Sequence, residues 1–188
     1  MKKIFLALAA VSSLAGASAF AETGYIGGAV GQSHFNADCS GTTDCKTNDT
    51  GYKLFGGYKF SPNLAGEVNY FDFGKATASA NLGGTPVSVK LKGTGFGIGI
   101  AAMGDFAPQW SGVARVGVAS IRAKATATAG SLTGTDSETK TTAYAGFGVS
   151  YAVTKELKLD GAIDFSNAKY AGETFNVRLL SVGLTYAF

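Results

Sequence analysis

The sequence lacks long apolar runs, a strong net charge and an abundance of metal-binding side chains. After residue 21, no stretch approaches the roughly 18 continuous apolar residues of a membrane-spanning helix, so helical spans are excluded. The chain has 16 basic and 13 acidic side chains, and so small an excess gives no basic stripe of the kind that nucleic-acid binding requires. With one His and two Cys, a metal centre has few candidate ligands. We therefore expect no nucleic-acid partner and no cofactor.

Glycine, by contrast, is abundant. Many of the 27 Gly residues lie inside apolar segments, where each would destabilise a helix by about 1 kcal/mol relative to Ala. The length corresponds to one domain of about 170 residues after removal of the N-terminal segment described next. The sequence therefore predicts a single all-β domain.

The N-terminal segment has the organisation of a secretory signal peptide. A basic head at Lys2 and Lys3 precedes an apolar stretch over 4–14, and small residues follow at the cleavage position. The apolar stretch is only half as long as the roughly 20-residue span of a membrane anchor. We predict a cleaved signal peptide over 1–21 and an exported domain over 22–188, which keeps 14 basic and 13 acidic side chains.

The two cysteines lie close together in the exported part of the chain. Cys39 and Cys45 are separated by five residues, and an oxidising compartment favours a disulfide between them. The alternative is a metal site formed by both thiols with His34, Asp38 and Asp44. Because the spacing matches no usual zinc pattern, we predict the disulfide, which would stabilise only a local loop.

Eight segments alternate between apolar and small or polar residues with a period of two, the pattern of strands with one apolar face. Each is about 10 residues long, the length that a tilted strand needs to cross the hydrocarbon layer. Short and long connections alternate, as in outer-membrane barrels. The pattern predicts an all-β, eight-stranded, antiparallel up-and-down transmembrane β-barrel with both termini in the periplasm and four loops outside. The predicted strands lie near 23–33, 50–60, 63–73, 93–104, 110–122, 142–152, 157–166 and 175–188. The longer connections are 34–49, 74–92, 123–141 and 167–174.

The last strand shows which face meets lipid. Leu180, Val182, Leu184, Tyr186 and Phe188 form one apolar row. A soluble edge strand with this row would aggregate, whereas a closed barrel presents it to hydrocarbon. A soluble ligand-binding barrel would have the reverse arrangement, with an apolar interior. Aromatic residues on this face, near the short turns and the C-terminus, predict a belt at one membrane interface. The predicted belt consists of Tyr58, Phe60, Trp110, Tyr151, Tyr186 and Phe188.

The opposite face is polar and predicts a charged interior. Its charged residues are Lys53, Lys59, Glu67, Arg115, Lys158, Asp160 and Asp164. Counting from the short turns places Glu67, Arg115 and Asp160 at one height. An eight-stranded barrel has room inside for little more than side chains, and a stranded buried charge costs several kcal/mol. We expect Arg115 to bridge Glu67 and Asp160, with Lys59 or Lys158 completing the layer. Such a layer either seals the lumen or gates it for small ions, and the narrow interior favours the seal.

These features resemble the transmembrane domain of the outer-membrane protein A family. The resemblance is densest over 54–75, where a Gly-Gly-Tyr hairpin carries an inward acid and an aromatic exit. Residues 24–31, 150–154 and the Phe-terminated last strand are similar to the family's first strand, sixth-strand turn and eighth strand. The resemblance therefore covers nearly the whole chain after the signal peptide.

The resemblance implies a lumen network of acids, an arginine and a lysine that is proposed to gate conductance. Glu67 and Arg115 match the family's acid and an inward arginine. Ala101, Ser150 and Asp160 stand where the family has a lysine, an acid and an arginine. Because the charges are rearranged, the gating mechanism is not implied for this chain.

The favoured function is a non-enzymatic structural barrel that contributes to envelope integrity and contacts a host or phage ligand through its loops. Other expected partners are outer-membrane lipid, lipopolysaccharide and, as the resemblance implies, the assembly machinery that recognises Phe188. We expect a short family form without a peptidoglycan-binding domain. A small ion channel is the alternative. A lipid A-modifying enzyme is a third hypothesis, but the adjacent Ser33 and His34 would point to opposite faces of a strand and form no ready catalytic pair.

Overall fold

The computed structural model describes residues 23–36, 42–82, 85–170 and 172–188. The predicted signal peptide over 1–21 and Cys39 lie outside these residues. All regular elements of the described residues are strands: β1 (Gly24–Phe35), β2 (Asp44–Lys46), β3 (Asn48–Ser61), β4 (Leu64–Leu82), β5 (Thr85–Ala107), β6 (Trp110–Ala129), β7 (Leu132–Ala152), β8 (Leu157–Tyr170) and β9 (Glu173–Ala187). The described residues contain no helix long and apolar enough to cross a membrane.

Eight of these strands close into a ring. The order is β4-β3-β1-β9-β8-β7-β6-β5, and β5 pairs again with β4. Every neighbouring pair is antiparallel. This closed order confirms the predicted eight-stranded up-and-down barrel. The remaining strand, β2, is not part of the ring and pairs with residues 77–79 of β4.

The start of β1 and the C-terminal residue meet at one end of the ring. The amide of Gly24 donates to the carbonyl of Phe188 over 3.1 Å, and the amide of Phe188 donates back over 2.9 Å. The connections β3–β4, β5–β6 and β7–β8 lie at this end, which we call the lower end. The opposite end is called the upper end.

Four strands extend far beyond the others at the upper end. Strands β4 to β7 have 19, 23, 20 and 21 residues, whereas β1, β3, β8 and β9 have 12, 14, 14 and 15. Much of the predicted loops 74–92 and 123–141 is therefore paired strand. Residues 123–129 alternate Ala with Lys and Thr and have none of the large apolar residues that mark the membrane part. Because Ala and Lys have little strand propensity, pairing with β5 and β7 accounts for the strand there. We call residues 75–82, 85–92, 123–129 and 132–141 the wing.

Large apolar side chains point outward over the membrane part of the barrel. Phe96 and Val182 are 70% and 64% exposed, whereas the adjacent inward residues Gly97 and Ser181 are buried. So large an apolar outer surface would not be stable in water, but it is what hydrocarbon requires of a spanning barrel. The outward row of the last strand thus follows the predicted parity.

Candidate functional site in the barrel interior

A fully buried ion pair crosses the lumen between β3 and β8. Nζ of Lys53 lies 2.7 Å from Oδ1 of Asp164, and both side chains are 2% exposed. Strands β1 and β9 separate β3 from β8 in the ring, so the bond ties together strands that share no backbone ladder. Both residues have the inward parity expected from the sequence. Their pairing was not part of the predicted layer.

A second ion pair lies toward the lower end, between β6 and β4. Nε of Arg115 donates to Oε2 of Glu67 at 2.8 Å and to Oε1 at 3.1 Å. The two side chains are 8% and 0% exposed. The structure therefore brings together two of the three residues that the sequence placed in one layer.

An aromatic ring lies between the two ion pairs. Nζ of Lys53 is 5.3 Å from the centroid of the Phe55 ring, and Cζ of Arg115 is 5.1 Å from the same centroid. Both cations thus face one electron-rich ring, a contact that strengthens when water is excluded. With two cations and two acids around Phe55, the interior layer has no net charge.

The predicted bridge from Arg115 to Asp160 is wrong. Asp160 instead accepts hydrogen bonds from the hydroxyls of Ser150 and Thr185, each 2.5 Å long. Arg115 pairs with Gly146 of β7, and Gly146 pairs with Asp164 of β8. Asp164 lies four residues further toward the upper end of β8 than Asp160. Because the strands of a barrel tilt and are staggered, equal counts from the turns do not place residues side by side.

The predicted roles of Lys59 and Lys158 also need correction. Within the described part of the chain neither lysine forms an ion pair, so neither completes the layer. Both line a cavity at the lower end of the lumen together with Asp160 and the underside of Arg115. Their ammonium groups lie where water can enter, which removes the requirement for a buried partner.

An aromatic layer fills the lumen above the ion pairs, where the sequence predicted a polar interior. Phe71 and Phe73 stack with ring centroids 5.4 Å apart, and Phe71 meets Tyr144 at 5.5 Å. Phe35 and Ile121 complete this layer, and all five side chains are at most 2% exposed. The sequence signal for it was the run 70–73, where aromatic residues occupy both faces of one strand. The lumen therefore has an apolar cap as well as a charged layer.

The Tyr144 side chain fits inside the lumen because the neighbouring strands β6 and β5 carry glycine beside it. A Cβ added at Gly117 would lie 2.6 Å from Cε1 of Tyr144, and one at Gly99 would lie 2.6 Å from its hydroxyl oxygen. Both distances are far inside normal van der Waals contact. The hydroxyl accepts a hydrogen bond from Nδ2 of Asn69 over 3.0 Å. Glycine thus provides the space that the aromatic layer needs.

The six residues of the predicted aromatic belt all lie at the lower end of the barrel. Trp110 and Tyr151 contact each other with centroids 5.1 Å apart, and Tyr186 and Phe188 are 6.5 Å apart. The hydroxyl of Tyr151 donates to Oε1 of Gln109 at 3.1 Å. Tyr58 and Phe60 are each 60% exposed. The arrangement suits residues with an apolar body in lipid and a polar edge in water.

The remaining candidate residues that the structure describes have partners outside any catalytic or metal-binding group. Ser33 is fully buried and donates to the backbone carbonyl of Phe73, whereas Nδ1 of His34 hydrogen-bonds Oδ1 of Asn48 on the other face. Among the described residues, no three His, Cys, Asp or Glu side chains lie close enough to hold a metal ion. Cys45 lies in β2. Because Cys39 and Asp38 are outside the described residues, the disulfide and its metal alternative stay sequence-level hypotheses.

Comparison with known proteins agrees with the fold. Similar solved structures include Ail, the attachment invasion locus protein of Yersinia pestis (TM-score 0.59, 16% identity, 89% of this chain and 100% of that chain). The N-terminal barrel of Pseudomonas aeruginosa OprF gives a TM-score of 0.56 at 12% identity over 89% and 98% of the chains. Neisserial surface protein A gives 0.55 at 16% identity over 88% and 97%. A search of curated protein sequences gives no match.

The family comparison covers almost the whole sequence. The family described as "Outer membrane protein beta-barrel domain" matches residues 4–188. This match confirms the resemblance to outer-membrane protein A-like barrels that the sequence showed. The chain belongs to the outer membrane protein beta-barrel domain family, and it is an envelope protein of the Gram-negative outer membrane.

Proposed function

We propose that this protein is a closed structural barrel that contributes to envelope integrity and does not conduct ions. The observation that supports the proposal is that two layers of buried side chains, one charged and one mainly aromatic, fill the narrow lumen at different heights. The Arg115–Glu67 and Lys53–Asp164 pairs lie below an aromatic layer centred on Phe71. Their ionic contacts link strands across the lumen, which is the mechanical role that an apolar core has in a soluble protein.

A small ion channel is the second candidate, because one cavity enters the lumen. The lower-end cavity lined by Lys59, Lys158 and Asp160 stops at Arg115. A channel would have to open at the Arg115–Glu67 pair, as a movable gate. A sealed barrel would stay closed there even without that pair, because Lys53, Asp164 and the aromatic layer lie above it.

Conductance across a planar lipid bilayer distinguishes the two candidates. We expect no discrete current steps from the refolded wild-type barrel, and none from the double variant Glu67→Ala/Arg115→Ala. A channel gated by this pair would show larger or more frequent steps in the variant than in the wild type. Circular dichroism of both proteins provides the control for folding. Stable current steps in the wild type would contradict the sealed barrel.

We further propose that the wing faces outward and that both termini face the periplasm. The β6–β7 turn at the tip of the wing contains Ser131, and the β7–β8 turn at the lower end contains Lys155. In intact cells, Ser131→Cys should react with a membrane-impermeant maleimide, whereas Lys155→Cys should react only after permeabilisation. The parent protein, whose native cysteines we expect to be oxidised, measures background labelling. Reaction of Lys155→Cys alone in intact cells would reverse the orientation.

The exposed upper end is the proposed contact surface for a host or phage ligand. Ail, which shares the fold, has been crystallised in complex with the heparin analogue sucrose octasulfate, and a polyanionic ligand is one chemistry that such an end can accept. We also propose membrane lipid and lipopolysaccharide as partners, and recognition of Phe188 by the assembly machinery. Nothing in the described interior supports an enzymatic role or a nucleic-acid partner.

Two sequence predictions complete the proposal. The segment 1–21 would be removed during export, leaving the barrel domain 22–188. Cys39 and Cys45 would form a disulfide in the oxidising periplasm, closing a short loop between β1 and β3. With so few residues in the ring, its contribution would be about 2 kcal/mol.

A further inference from the structure

The outer surface of β4, β5 and β6 changes from apolar to basic where it leaves the membrane part. Phe96, Ile98 and Ile100 are exposed along the outer face of β5. Two residues from Phe96 toward the upper end of β5, cross-strand rows that contain basic residues begin on the same face. Direct cross-strand pairing places side chains on a common face, and it identifies six cations here. We call them the outer basic face: Lys46, Lys75, Lys90, Lys92, Arg122 and Lys124.

Three of these lysines form a row of like charges. Lys75 pairs directly with Lys92, and Lys92 pairs directly with Lys124. Neighbouring strands lie about 4.8 Å apart, so the row crosses three strands within about 10 Å. Like charges directly opposite each other destabilise a sheet. An anion bound over the row would remove that repulsion.

The acids on this face are too few to neutralise it. Asp72 lies 2.9 Å from Nζ of Lys92, and Asp44 lies at the rim, opposite Ser79. The hydrogen bond to Asp72 raises the pKa of Lys92, which keeps this ammonium charged. In the described part of the chain, Lys75 and Lys124 form no ion pair. A third acid lies beside this face, because Oδ2 of Asp49 accepts from the amide of Lys75 over 2.8 Å. Six cations against three acids leave a local positive charge.

The other face of the wing has a different composition, so the charges are sorted by face. Asp136 and Glu138 of β7 pair with Ala125 and Ala123 of β6, both of which are buried on the inner side. The inner-facing Lys140 lies 3.4 Å from Glu138. Acidic residues are thus concentrated inside and basic residues outside, where the strands meet the membrane surface.

The height of the outer basic face matches that of lipid headgroups. Two residues advance about 7 Å along a strand, or about 5 Å in height at the usual barrel tilt of roughly 40°. Arg122 is one such step above the Phe96 row, and the lysine row is two steps above it. The polar layer of a membrane is about 5–7 Å thick on each side, and long basic side chains can reach back to it.

We propose that the outer basic face binds the phosphate groups of lipid A in the outer leaflet. The proposal rests on the orientation proposed above, with the wing outside. Charge complementarity and continuity with the lipid-facing surface both support a phosphorylated lipid as the occupant. Each basic side chain next to an anionic lipid surface contributes about a fivefold gain in affinity.

Native mass spectrometry of the full barrel in non-ionic micelles tests the proposal with diphosphoryl lipid A as the probe. The variant Lys75→Gln/Lys92→Gln/Lys124→Gln should raise the dissociation constant about 100-fold at low salt. The matched control, Lys59→Gln/Lys155→Gln/Lys158→Gln, loses the same charge at the lower end of the barrel and should bind like the wild type. Lipid A without phosphates should bind weakly to all three proteins.

A stability measurement keeps the test informative if the row variant folds differently. In micelles without lipid A, this variant should unfold at a urea concentration close to that of the wild type. Removal of the like-charge row offsets the loss of the partly exposed Lys92–Asp72 ion pair. Added lipid A should then stabilise the wild type and the control but not the row variant. Equal binding by the row variant, or tight binding of the phosphate-free lipid, would overturn the proposal. Micelles impose no orientation, so an error in the proposed topology would appear in the cysteine labelling and not here.

Discussion

Replacing Lys53 with methionine should lower the free energy of unfolding by about 3–5 kcal/mol, the usual cost of removing one partner from a buried ion pair. Methionine fills much of the same space, so the loss comes from the charge that remains. The carboxylate of Asp164 is 2% exposed and has Lys53 as its ion-pair partner at 2.7 Å. Urea unfolding in detergent micelles, followed by the fluorescence of Trp110, measures the effect.

Two variants serve as controls for this prediction. Lys155→Met makes the same chemical change in the exposed β7–β8 turn and should alter stability by less than about 0.5 kcal/mol. The double variant Lys53→Met/Asp164→Leu leaves no stranded charge, so it should be more stable than Lys53→Met alone. If Lys53→Met unfolded like the wild type, the pair would not be a structural tie across the lumen.

The membrane part of the fold could be predicted because one physical requirement governs it. Lipid on one side and a narrow lumen on the other impose a period of two over every strand, and rows such as 180–188 display it directly. The wing could not be predicted in the same way. Alternation is present over 123–129, but Ala on one face and Lys or Thr on the other also suit a polar loop. Pairing with β5 and β7, which the sequence does not display, makes this segment a strand.

The interior contacts were harder to predict than the faces. Periodicity shows that Asp160 and Asp164 both point inward, but their partners depend on the tilt and stagger of β8 relative to distant strands. A count from the turns selected Asp160, whereas the register selects Asp164. The aromatic layer was missed for a related reason. Phe71 and Phe73 have the inward parity. The prediction assumed that large apolar residues face lipid, so it did not expect aromatic side chains in the lumen.

The second ion pair allows a quantitative test of this correction. Arg115→Ala should lower the free energy of unfolding by about 3 kcal/mol, at the lower end of the range for a broken buried pair. Glu67 is fully buried and would lose its ion-pair partner. The loss should be smaller than for Lys53→Met. Arg115 borders the lower-end cavity, so water from that cavity can reach the Glu67 carboxylate that the substitution leaves unpaired.

Double-mutant cycles can then show which acid is coupled to Arg115. Arg115→Ala and Glu67→Gln should interact by about 2–3 kcal/mol, because each removes the same buried contact. Arg115→Ala and Asp160→Asn should be additive within about 0.5 kcal/mol, as expected of groups without a shared partner. The same urea titrations in micelles provide all six unfolding free energies, including the wild type. A strong coupling to Asp160 and none to Glu67 would mean that the sequence count was right and that the register of β8 in the lumen is not the one described. Coupling to both acids would restore a bridging arginine, since a guanidinium can reach two carboxylates at once.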